Sequence, residues 1–352
     1  MSPPQDLTAN TKYLIPSKGG PLTACNTPKP TILLKSKEVL IRVKAVAINP
    51  ADCKMIDSGH RVTSWPLVPG LDGAGVVEAV GSEVDSFVVG NRVLATFVSG
   101  NRGASFQKFA VVDEKMVAKI PGHWPFEEAA GLGVCYMTAI IALGIGLQSN
   151  LPFLRQSLPT KIKPGFNRRP VLILGGSSAL GAATIQLLRL AAPHCTILTT
   201  SSPKHHYHLT ANLGATAAYD RNSRSLIEDI KLATEGYRGV DAIIDAVGAA
   251  RTDGRVFNAF DPNGSKRYAQ VWTGDEEIEV PDGVESVLFR GRDLSKLQGG
   301  DNAMASLQAL LEKRRYKLPL PVRMVGYGLE GLERGLELMR KGVSGEKLVV
   351  GL

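Results

Sequence analysis

The stretch PVLILGGSSALGAATIQLL, residues 170–188, carries the residue types that hold a phosphate. Val171, Leu172, Ile173 and Leu174 form an unbroken apolar run, the pattern of a strand buried on both faces. Gly175, Gly176 and Gly181 follow. Ala182, Ala183, Ile185, Leu187 and Leu188 then suit the apolar face of a helix. Strand, glycine turn and helix begin a βαβ unit, and the free N–H groups at such a helix start attract anions. The dinucleotide fingerprint is G-x-G-x-x-G. Here it reads Gly176-Ser177-Ser178-Ala179-Leu180-Gly181, with Ser178 in place of the middle glycine. Taken alone, the pattern also fits a plain tight turn of any α/β protein.

The end of the next strand bears on which dinucleotide is held. An NAD site places Asp or Glu about 20 residues past the glycine turn, on the ribose 2′-OH. This chain reads Thr199-Thr200-Ser201-Ser202-Pro203-Lys204-His205 there, with no carboxylate before Asp220. Hydroxyls beside Lys204 suit a 2′-phosphate, which a carboxylate would repel. NADPH is therefore the expected cofactor. The simpler alternative is that Lys204 only opens a solvated helix.

Two sets of elements must position these residues. Residues 31–121 alternate as short strands, VLIRVKAVA (39–47), GAGVVEAVG (73–81), NRVLATFV (91–98) and FQKFAVVDEKMVAKIP (106–121), punctuated by Gly, Asn, Ser and Asp. Residues 127–143 switch to helical composition. A Pro-rich connector at 149–169 carries Lys161, Lys163, Arg168 and Arg169. From 170 onward strands alternate with helices at 171–174, 179–192, 195–200, 206–213, 216–219, 225–235 and 240–245, which predicts a doubly wound parallel sheet. Strands at 268–272, 285–289, 320–325 and 346–351 and helices at 303–314 and 329–341 complete the pattern.

Composition sets bounds. A chain of 352 residues suits two domains. Its net charge of +8 is spread out and not interleaved with aromatics, so it does not read as a nucleic-acid binder. No apolar run is expected to reach the roughly 18 residues of a membrane span, and the first residues lack a secretory pattern. Cys25, Cys53, Cys135 and Cys195 are scattered, fit no C-x-x-C site, and suit free thiols in a reducing, cytoplasmic setting.

Several blocks, in order, match one family: AINPADCK (47–54), PLVPGLDGAGVVEAVGSEVDSFVVGNRV (66–93), EEAAGLGVCYMTA (127–139), the glycine turn, and VSGEKLVV (343–350). Over nearly its whole length the chain resembles the medium-chain dehydrogenase/reductase superfamily. The resemblance implies a GroES-like catalytic domain at 1–148, a Rossmann domain at 149–300, and a return to the first domain at 301–352. Zinc members carry Gly-His-Glu where this chain has Gly70-Leu71-Asp72-Gly73, and Cys53 has no companion His or Cys. The similarity is thus to the zinc-free branch, with no metal expected. The long connector, the TTSSPKHH turn and the ending GLEGLERGLELMRKGVSGEKLVV resemble fungal trans-acting enoyl reductases of polyketide synthesis. Asn91 departs from the usual Asp, and segment 273–300 is short for that group.

The resemblance implies reduction of an α,β-unsaturated thioester on a carrier protein, by a monomeric enzyme. Lys54 would face the nicotinamide ribose and the substrate. Thr138, at the start of a junction helix, would bond the amide or the substrate, and Tyr136 is the nearest phenol as proton donor. Met137, Thr138, Ala139, Leu288 and Phe289 would line the acyl pocket. Ala51, Asp52, Cys53 and Lys54 would meet the cofactor. Ser177, Ser178, Ala179 and Leu180 would meet its pyrophosphate, and Ser202, Pro203, Lys204 and His205 its 2′-phosphate. Tyr219 and Arg221 would flank the adenine side, and Val271 and Trp272 the nicotinamide. Gly345, Glu346 and Lys347 would close over it. The basic connector 161–169 would face an acidic carrier. Two alternatives stay open: a free-standing NADPH reductase of quinones or enones, and a non-catalytic NADPH-binding scaffold.

Overall fold

The structure, a computed structural model, describes residues 8–33, 36–154, 169–272 and 277–352. The connector basics Lys161, Lys163 and Arg168 lie outside the described residues. The first part of the chain runs through β1 (Ala9–Leu14), β2 (Thr23–Pro28), β3 (Glu38–Ala47), α1 (Pro50–Ser58), β4 (Asp72–Val80), β5 (Arg92–Thr96), β6 (Phe109–Asp113) and β7 (Val117–Lys119). α2 (Phe126–Ala129) and α3 (Gly133–Ile141) follow. The second part comprises β8 (Val171–Leu174), α4 (Ala179–Ala191), β9 (Ile197–Ser201), β10 (Ala217–Asp220), α5 (Leu226–Leu232), β11 (Ala242–Asp245), β12 (Arg267–Val271) and β13 (Glu285–Phe289). α6 (Ala303–Glu312), β14 (Val322–Tyr327), α7 (Gly328–Lys341) and β15 (Lys347–Gly351) end the chain.

Three sheets result. β1 and β2 pair alone. Six parallel strands run in the order β10-β9-β8-β11-β12-β13. A seven-stranded sheet runs β14-β15-β3-β4-β5-β7, with β6 added on β3. The chain thus returns from the six-stranded sheet to the seven-stranded one through β14 and β15, and β15 pairs antiparallel with β3, Val350 opposite Val46. The six-stranded sheet is the doubly wound one, and the mixed α/β class holds. β8 is buried at all four positions, as its apolar run requires of a central parallel strand.

Three expected elements differ. The single helix over 127–143 is broken between α2 and α3, because the Asp72 carboxylate accepts from the Val134 N–H at 2.7 Å and starts a new helix there. The strand over 106–121 divides into β6 and β7 at a 3₁₀ turn, where the Asp113 side chain accepts from Lys115 N–H at 2.9 Å. The helix over 206–213 is instead a 3₁₀ turn, Pro203–His205, running on into a π turn, His208–Asn212. The run Phe126–Gly146 is long and apolar enough to cross a membrane by length and composition, contrary to the reading of the sequence. It is 78% buried inside the protein, where α3 packs on α4 between the two large sheets.

Candidate functional site

The glycine turn is built as a dinucleotide turn must be. Gly175 takes a left-handed φ of 77°. A Cβ on Gly176 would lie 2.1 Å from Thr199 Oγ1, and one on Gly181 would lie 2.3 Å from the Gly175 carbonyl oxygen. The last is a backbone clash, so only glycine lets α4 start this close to β8. Thr200 holds the turn from β9: its hydroxyl accepts from Gly175 N–H at 3.2 Å and its carbonyl from Gly176 N–H at 2.9 Å. Ser178 caps α4 by accepting from Gly181 N–H at 3.0 Å, so its hydroxyl is engaged inside the protein. The N–H groups of Ala179 and Leu180 open the helix beside it. These residues fit a dinucleotide pyrophosphate.

At the end of β9, Ser202 is half-buried and Pro203 and Lys204 are exposed. Arg221 is exposed, with its backbone N–H on the Ser201 carbonyl at 3.1 Å, and Tyr219 is half-buried beside it on β10. His205 leans across to the terminal segment, 3.2 Å from Ser344 Oγ. A Cβ on Gly345 would lie 2.0 Å from its ring. Burial first, and the Lys204 charge second, push the imidazole below its usual range. Lys204 and Arg221 are the exposed cations beside it.

The terminal segment stitches the two halves together. Gly345 N–H donates to the Ser177 carbonyl at 3.1 Å. A pocket of about 400 Å³ opens beside that contact, between Ser177, His205 and His208 on one side and Leu320, Pro321 and Gly345 on the other. Glu346 pairs with Arg323 at 3.0 Å. Lys347 turns into the protein, 6% exposed, with Nζ 2.6 Å from Asn49 Oδ1 and 3.4 Å from Asp72 Oδ2. It ties structure together and leaves no free ammonium for a cofactor. Asn49 also donates to Asp72 Oδ2 at 3.0 Å.

That network fixes α1, which carries Lys54. The Asn49 N–H donates to Asp52 Oδ2 at 2.8 Å, closing the first turn. Ala51 and Lys54 are half-buried, whereas Asp52 is 0% exposed and serves the helix start, not a ligand. Burial is the main reason its carboxyl is pushed up to about 7, with Asp72 adding to the rise. The folded state then holds a proton that the unfolded chain releases near pH 4, so this group's stabilisation fades as pH rises from about 4 to about 7. Asp52→Asn should gain in melting temperature relative to the unaltered protein across that window. A constant difference would show that Asp52 is ionised in the fold.

Other expected site residues are placed elsewhere. Thr138 sits within α3, not at its start, and its hydroxyl donates to the Val134 carbonyl at 2.7 Å. Tyr136 is fully buried, edge-on to Tyr316 with ring centroids 5.8 Å apart. Burial raises its phenol well above the ordinary range. It is a core residue, sealed away from any cleft, and not the proton donor the sequence suggested. Ala139 and Phe289 are 0% exposed and Met137 is 6% exposed, all within one hydrophobic cluster. Leu288 and Val271 are half-buried at the ends of β13 and β12. Trp272 follows β12 and is packed by His60, Arg61 and Arg290. Cys53 is buried, donates to the Leu336 carbonyl at 3.7 Å, and burial pushes its thiol up to about 12. Among the described residues no three His, Cys, Asp or Glu side chains converge as metal ligands. The sequence reading passed over Asn49 and the pairing of Asp72 with Lys347. The only signal was Asp72 itself, an acid inside the apolar block 66–80.

Comparison with known proteins gives the following. The Alcohol dehydrogenase GroES-like domain family matches residues 35–122. A trans-enoyl reductase of Pyricularia grisea is 34% identical over 92% of this chain and 89% of its own length. One from Fusarium heterosporum is 32% identical over 89% of this chain and 91% of its own. Among solved structures, the CurK enoyl reductase aligns with a TM-score of 0.73 at 21% identity, covering 97% of this chain and 99% of its own. A quinone oxidoreductase of Pseudomonas syringae aligns with a TM-score of 0.71 at 21% identity, over 97% of this chain and 100% of its own.

Proposed function

The chain belongs to the trans-enoyl reductases of the medium-chain dehydrogenase/reductase superfamily, and from that premise we propose that it reduces the α,β-unsaturated thioester of a carrier-bound polyketide with NADPH. It is an oxidoreductase using a nicotinamide cofactor. The observation that carries the finer reading is identity of 34% to a trans-enoyl reductase along nine-tenths of both chains. NADPH, when bound, supplies a hydride for the β-carbon of the enoyl group.

This chain's own residues do the rest. The N–H groups of Ala179 and Leu180 would hold the pyrophosphate at the start of α4. Ser202, Lys204 and Arg221 would hold the 2′-phosphate at the ends of β9 and β10. Lys54 would donate a hydrogen bond from Nζ to the thioester oxygen as negative charge gathers there, or pass a proton to the α-carbon. Zinc has no part in this reading, because Cys53 is buried with its thiol against the Leu336 carbonyl, and Asp72 is committed to Asn49, Lys347 and Val134. The partner would be the carrier protein of a polyketide synthase, and the enzyme a monomer in the cytoplasm.

The discriminating experiment follows NADPH consumption, with NADH as control, on an enoyl pantetheine thioester and on a simple quinone. Thioester turnover with NADPH preferred is the expected result. Quinone turnover alone would replace this reading with a free-standing quinone reductase, and NADPH binding with neither substrate consumed would replace it with a scaffold. In the same assay, Ser202→Ala with Lys204→Ala should cut the NADPH-over-NADH preference by about tenfold or more, since a charge-assisted phosphate contact is worth roughly 1.5–3 kcal/mol.

A further inference from the structure

Two arginines meet at one tryptophan on the far side of the cleft from the cofactor's phosphates. Trp272 stands just past β12. The Arg290 guanidinium carbon lies 4.5 Å from its ring centroid, and that of Arg61 lies 5.7 Å away. His60 packs edge-on at 4.8 Å. Arg290 comes from the end of β13, whereas His60 and Arg61 come from the other domain, just past α1. Arg61 is held there in the left-handed region, φ 62°, with Nη1 3.9 Å from where a Cβ of Gly291 would stand. The His60 N–H donates to the Lys54 carbonyl at 3.2 Å, so this corner is an extension of the helix that carries Lys54.

The cluster is electrostatically incomplete. Two guanidinium groups share one ring, and among the described residues no carboxylate forms a salt bridge with either. Arg290 Nε is buried with no hydrogen-bond partner among the described residues. A buried cationic donor left in this way is costly and is normally satisfied. Cation–π contact offsets part of the cost and holds both planes in place. Among the described residues the site has no anion with several acceptor oxygens, which is what a phosphate offers to a pair of arginines.

That phosphate is not the cofactor's. In the sheet order β13 stands three strand spacings from β8, roughly 14 Å, and four from β9, roughly 19 Å. The 2′-phosphate site is at the end of β9 and the pyrophosphate site at the end of β8. The cluster instead flanks the end of the sheet where the nicotinamide and substrate meet. Resting on the function proposed above, we infer that Arg61 and Arg290, braced on Trp272, bind the 4′-phosphate of a pantetheine arm and so hold the thioester toward Lys54. That phosphate chemistry is common to a carrier's prosthetic arm and to coenzyme A, and the assignment here is to the carrier's arm.

The test is calorimetric and needs no turnover. 4′-Phosphopantetheine, pantetheine and coenzyme A are titrated into the NADPH-bound protein and into Arg61→Asn/Arg290→Met, with NADPH affinity as the folding control. Arg61→Asn alone, which suits the left-handed backbone, covers the case in which the double variant does not fold. Phosphopantetheine should bind at least tenfold tighter than pantetheine, and the variants should lose that difference while keeping NADPH affinity. Equal binding of the two, or an undiminished difference in the variants, overturns the site. Coenzyme A binding tenfold tighter than phosphopantetheine overturns the carrier assignment. The two readings separate cleanly. Phosphate-dependent binding without thioester reduction leaves the site standing and the proposed reaction refuted, whereas thioester reduction without phosphate preference does the reverse.

Discussion

Lys347→Met is expected to destabilise the protein by about 3–5 kcal/mol, the usual cost of removing one partner of a buried ion pair. Lys347 is 6% exposed and Asp72 is 0% exposed. The ammonium is 2.6 Å from Asn49 and 3.4 Å from Asp72. Without it, the Asp72 carboxylate keeps only the Asn49 amide and the Val134 N–H, and its charge is left in the interior. Burial already pushes the Asp72 carboxyl up, and Lys347 is the main influence opposing that rise. In the variant Asp72 should therefore take up a proton at higher pH than before. A raised folded pKa contributes stability at low pH that is lost as pH rises through it. The loss should accordingly be larger at pH 8 than at pH 5 in urea unfolding. Lys347→Met with Asp72→Asn should recover part of the deficit, because no buried charge then remains. A single variant within about 1 kcal/mol of the unaltered protein at pH 8 would mean that the pair is solvated.

The same network explains how far the sequence could be read. Val171–Leu174 and its glycine turn are local features. A four-residue apolar run, a left-handed glycine and a helix start all lie within a dozen positions, and the structure has them where the pattern puts them. Lys347, Asp72 and Asn49 are distant in the chain and meet only after β15 pairs with β3 and β3 with β4. No periodicity reports such a meeting. The break between α2 and α3 has the same origin, since the group that caps α3 comes from β4. Tyr136 failed for a related reason. A phenol in the block EEAAGLGVCYMTA is equally compatible with a cleft or a core. Its direction is set by the packing of α3 against α6 and the turn after it, which holds Tyr136 against Tyr316. Arg61 and Arg290 were invisible as a pair because each comes from a different domain.

Lys54→Met should lower kcat for an enoyl thioester by about 10²-fold or more, near 3 kcal/mol of transition-state stabilisation. Fold stability should stay unchanged, because Lys54 is half-exposed and the start of its helix is fixed by Asn49, Asp52 and Lys347. Three roles are open to its ammonium, and they separate by readout. Holding the cofactor ribose predicts a weaker NADPH dissociation constant with kcat nearly kept at saturation. Bonding the thioester oxygen predicts unchanged NADPH binding with kcat and kcat/KM falling together, since that contact strengthens only as charge develops. Lys54→Arg should then recover much of the rate, because a guanidinium also donates to an oxyanion. Passing a proton to the α-carbon predicts no recovery with arginine, which does not deprotonate near neutral pH. The burial of Tyr136 favours the last two roles over the first. On the proposed reaction, Lys54 would be the donor on α1 that meets the charge a hydride to the β-carbon creates. Unchanged kcat in Lys54→Met would move the chemistry off α1 altogether.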